Sequence, residues 1–109
     1  MSIELPIAIS RYFEADRDRD AKSVALCFSS DATVRDEGHV YSGQDEIRQW
    51  KADSSKKYTY TSVPISIAQE GGRTVVTSHL EGDFPGSPVD LRYFFRLEDD
   101  KIAELEIIL

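Results

Sequence analysis

One carboxylate and two phenols stand out in this sequence as side chains that could carry out a reaction together. Asp36 closes a short apolar segment, and Tyr12 and Tyr93 lie in two other segments rich in apolar residues. A carboxylate among apolar and aromatic side chains is desolvated, which raises its pKa above the ordinary value of about 3.9 and makes it a stronger base. Phenols donate hydrogen bonds without carrying charge, so two of them directed at one oxygen would stabilise an enolate. The combination suits proton transfer next to a carbonyl group.

Alternation along the predicted strands places these side chains in the interior. If Val34 points into the core, Asp36 points the same way, because residues two apart in a strand share a face. The same rule puts Tyr93 inside together with Phe95. Tyr12 follows an apolar residue at helical spacing, which places it on the core side of its helix. We therefore expect Asp36, Tyr12 and Tyr93 to converge on one cavity as candidate catalytic residues.

Four further residues are candidates for binding a ligand in that cavity. Trp50 would contribute an indole ring from a predicted helix, and Ser78 and Phe84 lie on one strand whose inward positions alternate. His39 lies in a loop near the expected mouth of the cavity. These assignments predict a pocket that is mostly aromatic and apolar, with a few polar groups.

Each candidate also has a structural interpretation that the sequence leaves open. Asp36 could cap the turn through Gly38 by accepting backbone N–H groups. The two tyrosines and Trp50 could be packing residues of the core, and His39 could be an exposed loop histidine.

Three helices are predicted in the first half of the chain. Apolar residues recur at helical spacing over 5–13, and the charged run 16–20 is expected to end this first helix in solvent. Asp20 is placed to cap a second helix. Ser42, with Asp45 three residues later, forms the capping box of a third helix.

Most of the second half of the chain is predicted to form strands. The predicted strands are 32–36, 58–69, 74–84, 89–97 and 102–109, and the Gly71-Gly72 pair predicts a hairpin between two of them. Helices that precede such strands indicate an α+β fold, here three N-terminal helices packed on a strongly curved, mixed but mostly antiparallel sheet. Such an arrangement is a cone, closed by apolar side chains at one end and open at the other. We expect residues 1–109 to form a single domain.

Composition excludes several classes of function. The 13 lysine and arginine residues against 20 aspartate and glutamate residues give a net charge of −7, which disfavours binding to nucleic acid or to an anionic membrane surface. No apolar run approaches the roughly 20 residues of a membrane-spanning helix. The single cysteine excludes an internal disulfide, and with only two histidines it excludes a conventional zinc site. We expect no metal and no cofactor, and the absence of a signal-peptide pattern predicts a cytoplasmic protein.

Three segments resemble one group of proteins. Residues 11–14 (RYFE), 31–36 (DATVRD) and 43–47 (GQDEI) are similar to segments of the ketosteroid isomerase and SnoaL-like polyketide cyclase families. These families belong to the nuclear transport factor 2-like superfamily, and the resemblance covers essentially the whole chain. It implies the cystatin-like cone of three helices on a curved sheet.

The resemblance also implies roles for individual residues. Tyr12 matches the position of the oxyanion-hole tyrosine of ketosteroid isomerase, and Asp36 matches its general-base aspartate. Tyr93 stands where that enzyme has a protonated aspartate, so the sequence departs from the family there. The implied function is that of an isomerase or cyclase, independent of cofactors, which acts on a small apolar substrate with a carbonyl group. The alternative is a non-catalytic module of the same fold that binds a small apolar ligand or a partner protein.

A homodimer is expected through the outer face of the sheet, as is common in the superfamily. Phe94 on that face would be unusual on an isolated monomer, and charges of both signs suit a self-complementary two-fold contact. The residues that alternation assigns to this face are Thr77, His79, Glu81, Asp90, Arg92, Phe94, Arg96 and Glu104.

Overall fold

Three helices and six strands make up residues 3–109, the part of the chain that this computed structural model describes. The helices are α1 (Ile7–Arg17), α2 (Ala21–Leu26) and α3 (Gly43–Lys57). The strands are β1 (Phe28–Asp36), β2 (His39–Ser42), β3 (Tyr60–Glu70), β4 (Arg73–Gly82), β5 (Val89–Glu98) and β6 (Lys101–Ile108). None of the helices within residues 3–109 is both long enough and apolar enough to cross a membrane.

All six strands belong to one sheet in the order β2-β1-β6-β5-β4-β3. The pair β1–β6 is parallel, and the other neighbouring pairs are antiparallel. Register shifts interrupt β1 against β6, β3 against β4 and β5 against β6, and such bulges bend a sheet. The predicted α+β architecture, with three helices on a mixed, mostly antiparallel sheet, is confirmed.

The core lies between the helices and one face of this sheet. Tyr12 of α1 packs edge-on against Tyr93 and Phe95 of β5, with ring centroids 6.3 and 5.7 Å apart. Ile9 and Val34 are fully buried in the same cluster. Burial of these large side chains is the main stabilising term, at about 25 cal/mol per Å² of apolar surface.

Two hairpins have left-handed turns of two residues. The predicted turn at Gly71 and Gly72 is confirmed, with φ angles of 57° and 79°. The other hairpin was not predicted: β2 pairs with β1 through a turn at Glu37 and Gly38, whose φ angles are 53° and 79°. The strand β2 is short and mostly exposed at a sheet edge, so it lacks the buried alternation by which a strand is recognised.

The helix caps follow the sequence in one case and depart from it in another. Asp20 caps α2 by accepting a hydrogen bond from the Ser23 backbone N–H at 3.2 Å, as predicted. The capping box predicted for α3 is wrong, because the Ser42 side chain makes no cap hydrogen bond. Instead the Ser42 backbone N–H donates to Glu46 Oε1 at 2.9 Å. Glu46 therefore takes the place that was predicted for Asp45.

The outer face of the sheet carries the residues that alternation assigned to it. His79 lies there between Asp90 and Glu81, at 2.7 and 2.9 Å from their carboxylates. The expectation that Phe94 would be exposed on a single chain is wrong, since it is only 7% exposed. The guanidinium groups of Arg73 and Arg92 lie 4.6 and 5.5 Å from its ring centroid and cover it.

Candidate functional site

A cavity of about 740 Å³ opens at the end of the sheet near α3 and the C-terminus. Its volume is in the range of small-molecule sites, which is roughly 300–1,000 Å³. Most of its wall is apolar or aromatic. The polar side chains in the wall include Asp36, Trp50, Lys51, Tyr60 and Tyr93, and the apolar ones include Leu80, Phe84, Val89, Leu91 and Ile107.

Asp36 lies in this wall at the last position of β1, as alternation predicted. Its Oδ2 accepts a hydrogen bond from Trp50 Nε1 at 3.0 Å, so the carboxylate is held by α3 and does not cap the Gly38 turn. Burial raises the pKa of Asp36, and the Trp50 hydrogen bond opposes that rise. The side chain is therefore a desolvated carboxylate with a fixed orientation, which is what a general base needs.

Sheet register brings Tyr93 into the same wall. Asp36 pairs with Ile107 on one side of β6, and Tyr93 pairs with Ile107 on the other. The two backbone positions are therefore two strands apart, or roughly 10 Å, on the same inner face. Asp36, Tyr93 and the Ile107 between them all line the cavity. Burial raises the pKa of Tyr93, so its hydroxyl stays protonated as a hydrogen-bond donor.

Tyr12 lies behind this wall instead of in it. It is only 1% exposed, and its ring is enclosed by Phe13, Phe28, Tyr93 and Phe95. Its hydroxyl accepts a long hydrogen bond from Lys51 Nζ, at 3.5 Å. Burial raises the pKa of Tyr12 well above its ordinary value. Tyr12 therefore contacts Lys51, which lines the cavity, but does not line the cavity itself. The expectation that Tyr12 would face the cavity is wrong.

The four predicted ligand-binding residues separate into two pairs. Trp50 and Phe84 line the cavity. Ser78 faces inward but is fully buried beneath the wall, where its hydroxyl lies 2.7 Å from that of Ser62. His39 is exposed at the start of β2, outside the lining, as its structural interpretation predicted.

A buried ion pair at the floor of the cavity was not predicted from the sequence. Lys51 Nζ donates to Asp16 Oδ1 at 2.8 Å, and the two side chains are 4% and 3% exposed. The Tyr60 hydroxyl donates to the same carboxylate oxygen at 2.9 Å. The placement of Asp16 in a solvent-exposed run is therefore wrong. It lies four residues after Tyr12, on the core face of α1, where Lys51 and Tyr60 donate hydrogen bonds to its carboxylate.

Helical spacing was the available signal for Lys51 as well. It follows the fully buried Ile47 by four residues and therefore points to the same side of α3. A lysine at such a position is ordinarily placed in solvent when a sequence is interpreted, because burial of a charge is costly without a partner. Within residues 3–109, no three His, Cys, Asp or Glu side chains are grouped so that they could hold a metal ion.

Comparison with known proteins identifies the family and supports the fold. The SnoaL-like domain family matches residues 9–105 of the chain. A candidate polyketide cyclase from Sinorhizobium meliloti is 36% identical, with a TM-score of 0.90 over 95% of each chain. No curated protein matches the chain.

Two more distant structures share the fold. A hypothetical protein from Catenulispora acidiphila with a ketosteroid isomerase-like fold, crystallised with trimethylamine, is 16% identical with a TM-score of 0.85, over 97% of this chain and 87% of that one. A cystatin-fold protein from Novosphingobium aromaticivorans is 19% identical with a TM-score of 0.77, over 94% and 95%. With the family match over most of its length, the chain belongs to the SnoaL-like domain family.

Proposed function

We propose that this protein is a cofactor-independent isomerase or cyclase that transfers a proton next to a carbonyl group of a small, largely apolar substrate. Asp36 is the general base in this proposal. The observation that carries it is the position of the Asp36 carboxylate in the wall of an apolar cavity, held by a neutral N–H donor from Trp50. This donor orients the carboxylate and offsets part of the rise in its pKa, while burial still raises that pKa overall, as suits a base.

The reaction needs only groups that line the cavity. Asp36 takes a proton from the carbon next to the carbonyl, the C–H electron pair moves into the new C–C double bond, and the carbonyl oxygen becomes an enolate. In this proposal the Tyr93 hydroxyl donates a hydrogen bond to that oxygen, and its burial, which keeps it protonated, supports this role. Return of the proton from Asp36 to another carbon completes an isomerisation. Attack of the enolate carbon on a second carbonyl carbon of the same substrate forms the ring, the electron pair of that carbonyl moves onto its oxygen, and this oxygen takes the proton back from Asp36.

The size of the cavity and the similarity to a known protein support this assignment. The cavity of about 740 Å³ suits a compact molecule of a few rings, and its wall is mostly apolar. The Sinorhizobium meliloti protein, a candidate polyketide cyclase, is similar over nearly all of both chains. A cyclase of that kind acts on a carbonyl-rich substrate, which is the chemistry that a desolvated carboxylate can promote.

Hydrogen–deuterium exchange tests the proposal without knowledge of the natural substrate. A panel of small cyclic ketones, cyclic enones and β-dicarbonyl compounds is incubated with the protein in D₂O, and loss of the α-proton signals is followed by NMR. We expect catalysed exchange with part of the panel and a loss of about 100-fold or more in Asp36→Asn, because the base is removed and the shape is kept. Asp45→Asn, at an exposed site in the first turn of α3, is the matched control and should exchange normally.

A carrier of small apolar ligands is the second candidate, favoured by the apolar wall of the cavity. In that case the protein would bind members of the panel, as detected by quenching of Trp50 fluorescence, with no exchange above the Asp36→Asn background. That result would remove the enzyme proposal and leave the binding module.

A further inference from the structure

Lys51 is a buried charge in the wall of the cavity, and it has no role in the proton transfer described above. Its side chain is 4% exposed, and the residue contributes to the cavity lining. Replacement of a buried ion pair by apolar residues of similar volume is often neutral or stabilising, so the fold alone does not require Asp16 and Lys51 to be charged. A polar group in the wall of a mostly apolar cavity is the kind of group that orients a bound ligand.

The hydrogen bonds of Lys51 leave one donor for a ligand. An ammonium group has three N–H donors. One donates to Asp16 Oδ1 at 2.8 Å and a second makes the long contact with Tyr12 at 3.5 Å, and these are its hydrogen-bond partners within residues 3–109. The remaining N–H belongs to a group that borders the cavity.

Trp50 holds Lys51 and Asp36 in a defined relation. Lys51 Nζ lies 4.4 Å from the indole centroid, and the indole N–H donates to Asp36 at 3.0 Å. The ammonium and the carboxylate are thus placed by one rigid ring, with no direct ion pair between them. The charge of Lys51 also acts on Tyr93, whose pKa it lowers against the dominant effect of burial.

We propose that Lys51, held by Asp16, is the principal donor to the substrate oxygen, and that the site selects molecules that bind as enolates or phenolates. This inference rests on the proposed function. When Asp36 removes the α-proton, negative charge develops on the carbonyl oxygen, and the free N–H of Lys51 stabilises it together with the Tyr93 hydroxyl. Lys51 donates a hydrogen bond and keeps its proton, so Asp16 stays ionised throughout. Tyr12 and Tyr60 are positioning residues in this proposal, because their hydroxyls contact Lys51 and Asp16.

The positive charge of Lys51 narrows the range of substrates more than the hydroxyl groups of tyrosines alone would. A charge-assisted hydrogen bond to an anionic oxygen is roughly twice as strong as one between neutral groups. The site should therefore prefer compounds with an acidic enol or phenol, such as β-dicarbonyl and polyphenolic molecules, over simple ketones. The apolar wall accepts the remainder of such a molecule.

Binding of para-nitrophenol tests this inference, because its phenolate and its neutral form absorb at different wavelengths. We expect the wild-type protein to bind the phenolate in preference to the neutral form, so that the bound probe ionises at lower pH than the free probe. Lys51→Met should weaken phenolate binding by about 10- to 100-fold, the range for loss of one hydrogen bond to a charged group. Lys56→Met removes an exposed lysine of the same helix and is the matched control.

A double variant keeps the test decisive if Lys51→Met fails to fold. Asp16→Asn with Lys51→Met removes both charges and leaves an amide oxygen to accept from Tyr60, and it should show the same loss of phenolate binding. Preference of the wild-type protein for the neutral phenol, or equal phenolate affinity in the double variant, would overturn the inference.

Asp36→Asn separates this inference from the proposed function. It should bind the phenolate more tightly than the wild-type protein, because a nearby negative charge is removed, while it loses proton exchange. The wild-type protein could bind the phenolate through Lys51 and yet exchange no α-protons. That result would reject the proposed enzyme and retain Lys51 as a hydrogen-bond donor to a bound anion. Normal exchange in the double variant would reject Lys51 and retain Asp36 as the base.

Discussion

The indole N–H of Trp50 donates to Asp36 Oδ2 at 3.0 Å, and this contact joins α3 to the end of β1 at the wall of the cavity. It sets the direction of the carboxylate and stabilises its charged form, while burial acts in the opposite sense. The protonation state of Asp36 is therefore set mainly by desolvation against this hydrogen bond, with smaller effects from neighbouring charges.

Trp50→Phe should raise the pKa of Asp36 further, because it removes the hydrogen bond that opposes the effect of burial. The titration of the Asp36 carboxyl carbon, followed by NMR in labelled protein, should move to higher pH. Loss of packing should also lower stability by about 1–2 kcal/mol, measured by urea denaturation. An Asp36 titration at the wild-type pH or below would contradict this account of the contact.

Asp36→Asn should be more stable than the wild-type protein at neutral pH, and the difference should vanish in acid. The folded-state pKa of Asp36 is raised, so the folded protein binds more protons than the unfolded chain between the unfolded value of about 3.9 and the raised one. Stability of the wild-type protein therefore falls as pH rises through that window, and the asparagine variant escapes this loss. Denaturation midpoints at about pH 3 and pH 7 measure it. A variant that is less stable at neutral pH would show that the carboxylate is stabilising instead.

Single substitutions in the Asp16–Lys51 pair should be strongly destabilising. Lys51→Met or Asp16→Asn leaves one buried charge without its partner, which costs about 3–5 kcal/mol. The double variant Asp16→Asn with Lys51→Met should recover most of that loss, since no unpaired charge remains. Urea denaturation of the four proteins in a double-mutant cycle measures the coupling. Additive effects of the single changes would show that the two groups do not depend on each other.

A homodimer through the outer face of the sheet remains our prediction for the assembly. Val63 and Ile65 on the edge strand β3 are 56% and 50% exposed, and the alternating charges of β4 and β5 lie beside them. Val63→Lys with Ile65→Lys should convert the dimer to a monomer in light scattering at micromolar concentration. Ile7→Lys, on the exposed side of α1, should leave the dimer intact. A monomeric mass for the unmodified protein would end this prediction.

Strand alternation alone was enough to orient Asp36 and Tyr93. A side chain two residues from Val34 or Phe95 must share its face, and burial of the apolar residue decides which face that is. The hairpin at Gly71 and Gly72 was equally local, because a two-residue turn with positive φ favours glycine at both positions. These features depend on neighbours in the chain, so the sequence determines them.

Only the tertiary structure decided which side chains meet. Asp36 and Tyr93 share a row because β6 pairs in parallel with β1 and antiparallel with β5, a register that no local pattern contains. Asp16 and Lys51 each lie at a core-facing helical position, but 35 residues separate them in the chain. A buried charge is tolerated only where its partner arrives in space, and that depends on how α1 and α3 dock on the sheet.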